Sequence, residues 1–436
     1  MRLVSTRGQA AAATFCEAVA RGIAGDGGLY VPAAITPMRR GFFDAAGGRP
    51  LTSLAFEVAR HLLEQEIPDR DLETIIARSL TFPAPLRMLA DDLGVLELFH
   101  GPTLAFKDFG AQFMAHTLAW VNRGSSAKRH ILVATSGDTG SAVAHAFHHV
   151  EGMHVILLYP SGRISTVQEL QLTTLRGNVT ALEIGGTFDD CQRLVKEAFA
   201  DTELRSRMHL TSANSINIAR LLPQTFYYID AWAQRPDRVR PVEFSVPSGN
   251  LGNLTAGILA MKAGLPVTRF IASVNANTAL PRYLATGDPA PAAAIATLSN
   301  AMDVGDPSNL ARLRSLFGDD RVGLRSVVSS ASFSDEQTRE AIRTVHRRYQ
   351  YVLDPHGAVG YCGLEQVRAD APSGSLGIVL ETAHPAKFLD ALDEPIRRLV
   401  ETPPRLLAAL EGEKQSVRLS PAFPGFKEYL LHTTFS

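Results

Sequence analysis

The feature that most constrains the fold is a regular alternation of short apolar runs with helical patterns, which begins near residue 95. β-branched and apolar runs typical of strands occur at residues 131–134, 154–159, 179–184, 242–246, 269–274 and 376–381. Apolar residues at helical spacing occur at residues 141–149, 165–175, 188–200, 218–234 and 254–263. Strands that alternate with helices form βαβ units, and such units build parallel sheets. The sequence therefore predicts an α/β fold with ligand sites where loops leave the carboxyl ends of strands.

The length of the chain indicates more than one domain. Its 436 residues, 45% of them hydrophobic, exceed the roughly 250–300 residues at which a single core usually stops growing. Residues 1 to about 80 contain two amphipathic runs, 14–23 and 53–64, separated by a stretch rich in Gly and Pro. We expect an N-terminal domain at 1–85, a large domain at 86–130 and 236–436, and a small α/β domain at 131–235.

Charge and cysteine content exclude several classes of protein. The 43 Lys and Arg residues balance the 44 Asp and Glu residues, whereas nucleic-acid binding needs basic residues concentrated on one face. Cys16, Cys191 and Cys362 form no CxxC pair and indicate thiols in a reducing compartment. The sequence shows neither a signal-peptide pattern nor an apolar run of roughly 18 residues. We therefore expect a soluble, cytoplasmic protein with no nucleic-acid or membrane partner.

Histidines at the end of the predicted helix 141–149 have a spacing that can bind zinc. His145 and His149 are four residues apart, so they lie on one face of that helix. However, the motif HExxH is absent, and histidine late in a helix also complements the helix dipole. We expect no metal ion.

Three loops, each after a predicted strand and before a predicted helix, contain residues typical of ligand binding. They are GPTLAFKD at 101–108, TSGDTG at 135–140 and SGNLGN at 248–253. Glycine-rich turns at helix N-termini expose backbone N–H groups to phosphate, and the helix dipole favours the anion. In SGNLGN, Gly249 and Gly252 permit close approach, while Asn250 and Asn253 tolerate left-handed conformations and donate amides. A tight turn without a ligand also explains this loop, and neither GxGxxG nor GxxxxGK(S/T) occurs.

Lys107 has unusually apolar neighbours, because residues 104–106 precede it and Phe109 follows it. Burial lowers the pKa of a lysine and so provides neutral amine for imine chemistry. A solvated lysine paired with Asp108 is the competing interpretation, since most lysines are exposed. The local sequence leaves both interpretations open.

A series of longer strings links these loops to a known family. The strings HGPTLAFKDFG, ATSGDTGSAVAHAF, TSANSINIAR, SVPSGNLGNLTAG, TLSNAMDVGDPSN and ETAHPAKF, with STRG, DGGLYVP and LDPHGAVG, resemble threonine synthases in content and order. They extend from about residue 5 to about residue 390 and are most similar to the microbial branch with its own N-terminal domain. The resemblance implies a fold type II enzyme that depends on pyridoxal 5'-phosphate. Its two α/β domains have parallel-rich sheets flanked by helices, beside a small N-terminal domain.

The resemblance also implies which residues bind the cofactor. Lys107 matches the lysine that holds the cofactor as a Schiff base. Thr382 resembles the hydroxyl that meets the pyridine nitrogen, although Glu381 and His384 are near enough in sequence to compete. The loop that resembles the binder of the cofactor phosphate consists of Gly249, Asn250, Leu251, Gly252 and Asn253.

For the substrate, the resemblance implies two further segments. The string NSINIAR resembles a segment that binds the substrate phosphate, through Asn214, Ser215 and Arg220. A second loop resembles the one that receives the substrate carboxylate and faces the cofactor ring, and it contains Ser136, Gly137, Asp138 and Thr139. Some relatives have asparagine in place of Asp138, so the resemblance does not extend to a contact with the ring hydroxyl.

The implied reaction converts O-phospho-L-homoserine and water into L-threonine and phosphate, by γ-elimination and β-addition of water, in the last step of threonine biosynthesis. One alternative is a phospho-lyase that forms 2-oxobutyrate from the same substrate. Another is a non-catalytic protein that binds phosphate or the cofactor, but such a protein would need no imine-forming lysine. We expect a small-molecule substrate and a monomer or homodimer.

Overall fold

The computed structural model describes residues 1–125, 127–135, 137–370 and 374–433. The N-terminal region contains β1 (Leu3–Ser5), α1 (Phe15–Arg21), β2 (Tyr30–Pro32), α2 (Leu51–Leu62) and α3 (Asp69–Ser79). β1 and β2 pair in antiparallel orientation. α1 starts with a capping box formed by Thr14 and Glu17. The predicted amphipathic runs 14–23 and 53–64 are confirmed as α1 and α2, which bury their apolar faces.

The middle of the chain alternates strands with helices, as predicted. Its elements are β3 (Leu86–Ala90), β4 (Leu93–Glu97), α4 (Lys107–Asn122), β5 (Arg129–Ala134), α5 (Asp138–Phe147), β6 (Met153–Pro160), α6 (Thr166–Thr173), β7 (Val179–Ile184), α7 (Phe188–Ala200), α8 (Thr202–Arg207), β8 (His209–Ser212), α9 (Ile218–Leu221) and α10 (Gln224–Gln234). The single helix predicted at 218–234 is wrong, because the chain breaks between α9 and α10. Pro223 lies at this break, and proline lacks the N–H that a continuous helix needs.

The last part of the chain continues this alternation and then adds C-terminal helices. Its elements are β9 (Val242–Pro247), α11 (Gly252–Lys262), β10 (Val267–Val274), α12 (Ala279–Thr286), α13 (Leu310–Leu316), α14 (Arg321–Val327), β11 (Val328–Ser332), α15 (Asp335–Tyr349), α16 (Pro355–Asp370), β12 (Leu376–Glu381), α17 (Glu394–Arg397), α18 (Pro404–Leu410), β13 (Val417–Leu419) and α19 (Phe423–His432). In the described part of the chain, no helix is both long enough and apolar enough to cross a membrane.

Two larger sheets carry the fold. The first has the strand order β11-β10-β9-β12-β4-β3, in which β3 alone is antiparallel to its neighbour. The second has the order β13-β7-β6-β5-β8 and is entirely parallel. All residues of the central strands β6, β9 and β12 are buried, as expected for parallel sheets covered on both faces.

The strand order explains why distant loops meet. β12 lies between β9 and β4, so the segments after these three strands leave the same edge of the first sheet. β5 and β8 are neighbours in the second sheet, and the segments that follow them leave one edge in the same way. The largest apolar core joins the N-terminal helices to α4 and α10 and includes Leu54, Phe109 and Phe226.

Candidate active site

Lys107 is the first residue of α4, after β4, and its side chain is only 15% exposed. Burial lowers its pKa, and the charges of Lys387 and Arg220 add to this, although Asp138 opposes it. Its Nζ lies 3.5 Å from Oδ2 of Asp138. This geometry favours an amine held inside the protein over the solvated lysine considered from the sequence.

Asp108, the competing partner of Lys107, faces the other way. It is fully buried and accepts hydrogen bonds from the backbone N–H of Thr103 at 2.9 Å and its Oγ1 at 2.7 Å. Burial raises the pKa of Asp108 to about 6. Asp108 therefore anchors the turn that precedes α4.

Asp138 is the centre of a buried charged cluster. Lys387 Nζ donates to Asp138 Oδ1 at 2.7 Å, and Gln168 Nε2 donates to the same oxygen at 3.2 Å. Lys387 is completely buried and also donates to the carbonyl oxygen of Thr103 at 2.9 Å. Burial alone would raise the pKa of Asp138, but the charges of Lys387 and Lys107 outweigh it and hold this pKa well below its usual value. Asp138 thus presents one oxygen, Oδ2, to Lys107 while two donors fix the other.

The loop at residues 248–253 connects β9 to α11, and it is named the cofactor loop because the sequence resemblance predicts that it binds the cofactor phosphate. In the described structure, the backbone N–H groups of residues 249–252 donate to no protein acceptor, so they are available to an anion at the start of α11. Asn253 turns inward, because its Nδ2 donates to Pro247 O at 2.8 Å and its Oδ1 accepts from Ser248 Oγ at 2.7 Å. The left-handed residue is Leu251, with φ 60°, rather than the predicted glycines or asparagines.

The two glycines of the cofactor loop face different surroundings. A Cβ atom on Gly249 would lie 2.5 Å from Met302 Cα, so the neighbouring backbone leaves no space for a side chain there. A Cβ atom on Gly252 would lie 3.5 Å from Asn309 Nδ2 and 3.8 Å from the Cβ of Ser215, which are ordinary contacts. Close packing therefore requires a glycine at 249, while position 252 has room for one carbon atom.

Thr382 immediately follows β12 and is buried. The carbonyl oxygen of Thr382 accepts a hydrogen bond from Phe106 N at 2.8 Å, which places Thr382 beside the loop that carries Lys107. Glu381 points elsewhere, because its Oε1 accepts from Asp354 N. Burial, together with the charge of Asp354, raises the pKa of Glu381 well above its usual value. The backbone contact of Thr382 with the residue before Lys107, and the separate engagement of Glu381, favour Thr382 over Glu381.

The segment at residues 213–220 joins β8 to α9, and it is named the substrate segment because the sequence resemblance predicts that it binds the substrate phosphate. Arg220 is buried, donates from Nη1 to the Ala213 carbonyl at 2.6 Å, and keeps a buried Nε without a partner. Burial lowers the pKa of Arg220 to about 10. In the described chain Arg220 forms no ion pair, because Asp230, an acidic residue ten positions further along the chain, accepts from Gln234 Nε2 at 2.6 Å instead.

Asn214 and Ser215, the other two residues predicted to bind phosphate, connect the substrate segment to its neighbours. Asn214 Nδ2 donates to the Ala134 carbonyl at 3.1 Å, while its buried Oδ1 has no partner among the described residues. Ser215 Oγ accepts from Asn250 Nδ2 at 2.6 Å, which joins the substrate segment to the cofactor loop. The structure therefore brings both predicted phosphate-binding regions together.

The loop after β5 completes the site. Gly137 has a φ of 134° and donates to Thr135 Oγ1 at 3.0 Å, and α5 starts at Asp138. Thr139 follows in the first turn of α5. Ser136, predicted with them, lies outside the described residues. Among the described residues no group of three or more His, Cys, Asp or Glu side chains is arranged to hold a metal ion.

Comparison with known proteins decides the family. The model of pyridoxal-phosphate dependent enzymes matches residues 83–381, that of the threonine synthase N terminus matches residues 2–80, and that of the threonine synthase C-terminal region matches residues 357–428. Threonine synthase of Haemophilus influenzae is 45% identical over 381 residues, which cover 87% of this chain and 88% of that protein. The chain belongs to the threonine synthases.

Solved structures of threonine synthases confirm the fold. The crystal structure from Escherichia coli superposes with a TM-score of 0.91 and 40% identity over 99% of both chains. The structure of the Brucella melitensis protein with bound pyridoxal phosphate gives a TM-score of 0.89 and 34% identity over 99% of both chains. The predictions of an α/β fold of type II, of a threonine-forming lyase and of pyridoxal phosphate as cofactor are confirmed.

The residues present fit this cofactor. The site combines a buried amine of lowered pKa, four free backbone N–H groups at a helix N-terminus and a buried hydroxyl after β12. These are groups suited to an aldehyde, a phosphate and a ring nitrogen respectively.

Lys387 is a further member of this site that the sequence did not predict. It lies in the string ETAHPAKF, only five residues after Thr382, and its side chain is 0% exposed. Its position among apolar residues is the same signal that drew attention to Lys107. The partner Asp138 is 249 residues away in sequence, so local pattern could not reveal the pair.

Proposed function

We propose that Lys107 forms the Schiff base with pyridoxal phosphate and then moves protons at the substrate carbons. The observation that carries this proposal is the buried Nζ of Lys107, of lowered pKa, 3.5 Å from the Asp138 carboxylate. A lowered pKa provides the neutral amine that both imine formation and proton abstraction require. After a proton is taken up, Asp138 stabilises the ammonium form of Lys107.

When bound, the cofactor supplies an aldehyde for imine formation and a conjugated ring that withdraws electrons from the substrate carbons. The free N–H groups of residues 249–252 hold its phosphate at the positive end of α11. Asn253 shapes this loop through its inward hydrogen bonds. Thr382 offers a neutral hydroxyl to the ring nitrogen, which binds the nitrogen without holding it protonated as a carboxylate would.

The substrate segment binds the phosphate of O-phospho-L-homoserine in this proposal. Arg220 has a buried Nε without a partner, and a guanidinium can bind phosphate through two parallel hydrogen bonds. Asn214 and Ser215 add neutral polar groups at the same place. Water excluded from a buried clamp cannot compete for these contacts, so each contact is stronger than at the surface.

The start of α5 receives the substrate carboxylate. Gly137, Asp138 and Thr139 contribute the turn and the N-terminal N–H groups of this ten-residue helix, and Ser136, which lies outside the described residues, belongs to the same proposal. A second carboxylate beside Asp138 would be repelled, and Lys387 offsets that negative charge from its position 2.7 Å away. Lys387 is thus a positioning residue in this proposal.

The reaction replaces the phosphate on Cγ with a hydrogen and a hydrogen on Cβ with a hydroxyl, so a proton leaves Cβ and a proton is added at Cγ. Loss of phosphate breaks the Cγ–O bond, and water then supplies the hydroxyl at Cβ, while the amine is retained. Lys107 Nζ takes the proton from Cα and returns protons to the carbon skeleton, because it is the amine freed next to these carbons when substrate enters.

Product analysis tests this function. The purified protein with pyridoxal phosphate is incubated with O-phospho-L-homoserine, and amino acids, 2-oxo acids and phosphate are quantified. We expect one threonine for each phosphate released. Formation of 2-oxobutyrate and ammonia would identify a phospho-lyase, and absence of any turnover would favour a non-catalytic binding protein.

Three further properties belong to the same proposal. The chain is divided into the domains 1–85, 86–130 with 236–436, and 131–235, it acts as a monomer or homodimer, and it works in the cytoplasm without nucleic-acid or membrane partners. Light scattering of the purified protein determines the number of subunits.

A further inference from the structure

Arg312, on α13, is the largest fully buried side chain of the described protein. All of its recorded hydrogen bonds go to neutral oxygens. Nε donates to the Tyr30 carbonyl at 2.8 Å, and Nη2 donates to the Ile216 carbonyl at 2.5 Å. Nη1 donates to the Ser215 carbonyl at 2.8 Å and to Asn309 Oδ1 at 2.7 Å.

The positive charge of Arg312 has no counter-charge within the described residues. It forms no ion pair there, and burial alone accounts for the lowering of its pKa to about 9. A buried charge is costly unless an opposite charge or a full set of hydrogen bonds compensates it. The hydrogen bonds to neutral oxygens compensate the burial of Arg312 but do not neutralise its charge, so the guanidinium still attracts an anion that binds nearby.

Most of the hydrogen-bond partners of Arg312 belong to the substrate segment or contact the cofactor loop. Asn309 Nδ2 donates to the Asn250 carbonyl at 2.9 Å and approaches Ser215 Oγ at 3.5 Å. Asn250 in turn accepts at Oδ1 from Ser308 N at 2.7 Å. Besides their direct Asn250–Ser215 hydrogen bond, the cofactor loop and the substrate segment are therefore joined through Asn309, the residue before α13, and Arg312 on α13.

The N-terminal region holds the other side of this network. The Tyr30 carbonyl, in β2, accepts from Arg312, and the Val19 carbonyl, in α1, accepts from Asn217 Nδ2 at 3.1 Å. Both contacts end on or beside the substrate segment. Residues 1–80 thus hold the substrate segment in place, although none of the predicted site residues lies in that part of the chain.

We propose that Arg312 is a positioning residue that sets the spacing between the cofactor loop and the substrate segment and supplies positive charge to the phosphates bound there, with the N-terminal region as its support. This inference rests on the proposed function, because it takes those two segments as phosphate sites. Arg312 acts through Asn309, Ser215 and their neighbours rather than by touching the reacting atoms.

The test compares cofactors with and without phosphate. The full-length chain, freed of cofactor, is titrated with pyridoxal 5'-phosphate and with pyridoxal for the wild type, Arg312→Met and Arg312→Lys. We expect Arg312→Met to weaken pyridoxal 5'-phosphate about tenfold or more, while the affinity for pyridoxal changes less than about threefold. Arg312→Lys retains the positive charge but not the planar guanidinium, so its affinity for pyridoxal 5'-phosphate should lie between those of the wild type and Arg312→Met. Circular dichroism verifies that each variant is folded.

Arg314→Met is the matched control, because Arg314 is on the same helix but is 38% exposed and pairs with Asp319 at 2.7 Å. It should leave both affinities unchanged.

Equal losses for the two cofactors in Arg312→Met would overturn the inference and indicate a role in folding alone. If Arg312→Met does not fold, Asn309→Ala replaces it, and an unchanged preference for the phosphorylated cofactor would then overturn the inference. If the wild type forms threonine but the variants lose affinity for both cofactors equally, only this inference is refuted. If the wild type forms no threonine, the proposed function is refuted.

Discussion

The cofactor loop and the substrate segment are joined by the Asn250–Ser215 hydrogen bond, yet they present different chemical groups for the phosphates that we propose they bind. The cofactor loop presents backbone N–H groups at the start of α11 and contains no charged side chain. The substrate segment presents Arg220, a buried cation without an ion pair in the described chain. Fixed backbone N–H groups suit a cofactor that stays bound through every turnover. A positive side chain suits a substrate that loses its phosphate in the reaction, because it binds the phosphorylated substrate more strongly than the product. We therefore predict that obstruction of the backbone weakens binding at the cofactor loop, whereas loss of the Arg220 side chain weakens binding at the substrate segment.

The largest effect should follow Lys107→Ala, because Lys107 serves both regions. Turnover should fall by about 10³-fold or more, since the variant lacks the imine-forming amine and the proton carrier. In the wild type, borohydride reduction should attach the cofactor covalently to the peptide that contains Lys107. Lys387 is a second buried lysine at the same carboxylate, so an adduct on Lys387 would contradict the assignment of Lys107 as the imine-forming residue.

Arg220→Ala should affect the substrate segment alone. A charge-assisted hydrogen bond contributes about 1.5–3 kcal/mol, so kcat/KM for O-phospho-L-homoserine should fall roughly 10- to 150-fold. The absorbance of the bound cofactor should be normal, and binding of homoserine, which has no phosphate, should change little. Similar losses for both ligands would mean that Arg220 supports the fold or the carboxylate site.

Gly252→Asp should affect the cofactor loop, and Gly252→Ala is its matched control. A Cβ atom at position 252 makes only ordinary contacts, so the alanine variant should bind the cofactor normally. The aspartate variant adds bulk and a like charge beside a phosphate, so its cofactor affinity should fall about tenfold, as measured by titration of the cofactor-free protein. Unchanged affinity in the aspartate variant would show that the loop is a turn without a phosphate.

The smallest effect should appear in the pH dependence of Lys387→Met. The charges facing Asp138 come from Lys387, Lys107 and His356, and together they hold its pKa below the usual value against the effect of burial. Removal of Lys387 leaves burial less opposed, so the pKa of Asp138 should rise. The acid limb of kcat/KM should therefore move to higher pH, with activity at neutral pH reduced a few-fold. An acid limb at its wild-type position would show that Lys387 does not control Asp138.

The same pKa shift predicts how stability depends on pH. Because the pKa of Asp138 is lowered by folding, its contribution to stability is complete above the usual pKa, about 3.9, and is lost as pH falls towards the lowered value. Lys387→Met should remove this contribution, which chemical denaturation at several pH values can measure. A wild-type dependence on pH in the variant would contradict the assignment of Lys387 as the main counter-charge.

Several elements could be predicted from sequence because their causes are local. The strands at 179–184 and 376–381 and the helix at 188–200 have the predicted bounds, since apolar periodicity and flanking polar residues define them within a few positions. The break at Pro223 was missed because apolar spacing continues through it. The left-handed conformations of Leu104 and Leu251 were also missed, because leucine itself disfavours them and only the surrounding structure holds it there.

The sequence by itself determined which loops could hold a phosphate, which lysine has apolar neighbours and, through its resemblance, the family. The tertiary structure alone decided the partners of the buried charges: Lys107 with Asp138 rather than Asp108, Lys387 with the same carboxylate, and Arg312 with neutral carbonyls. Strand order brings together the segments after β4, β9 and β12, which lie far apart in the chain. Charge pairing depends on distance in space and on removal from water, and neither quantity is encoded within a few residues of the charge.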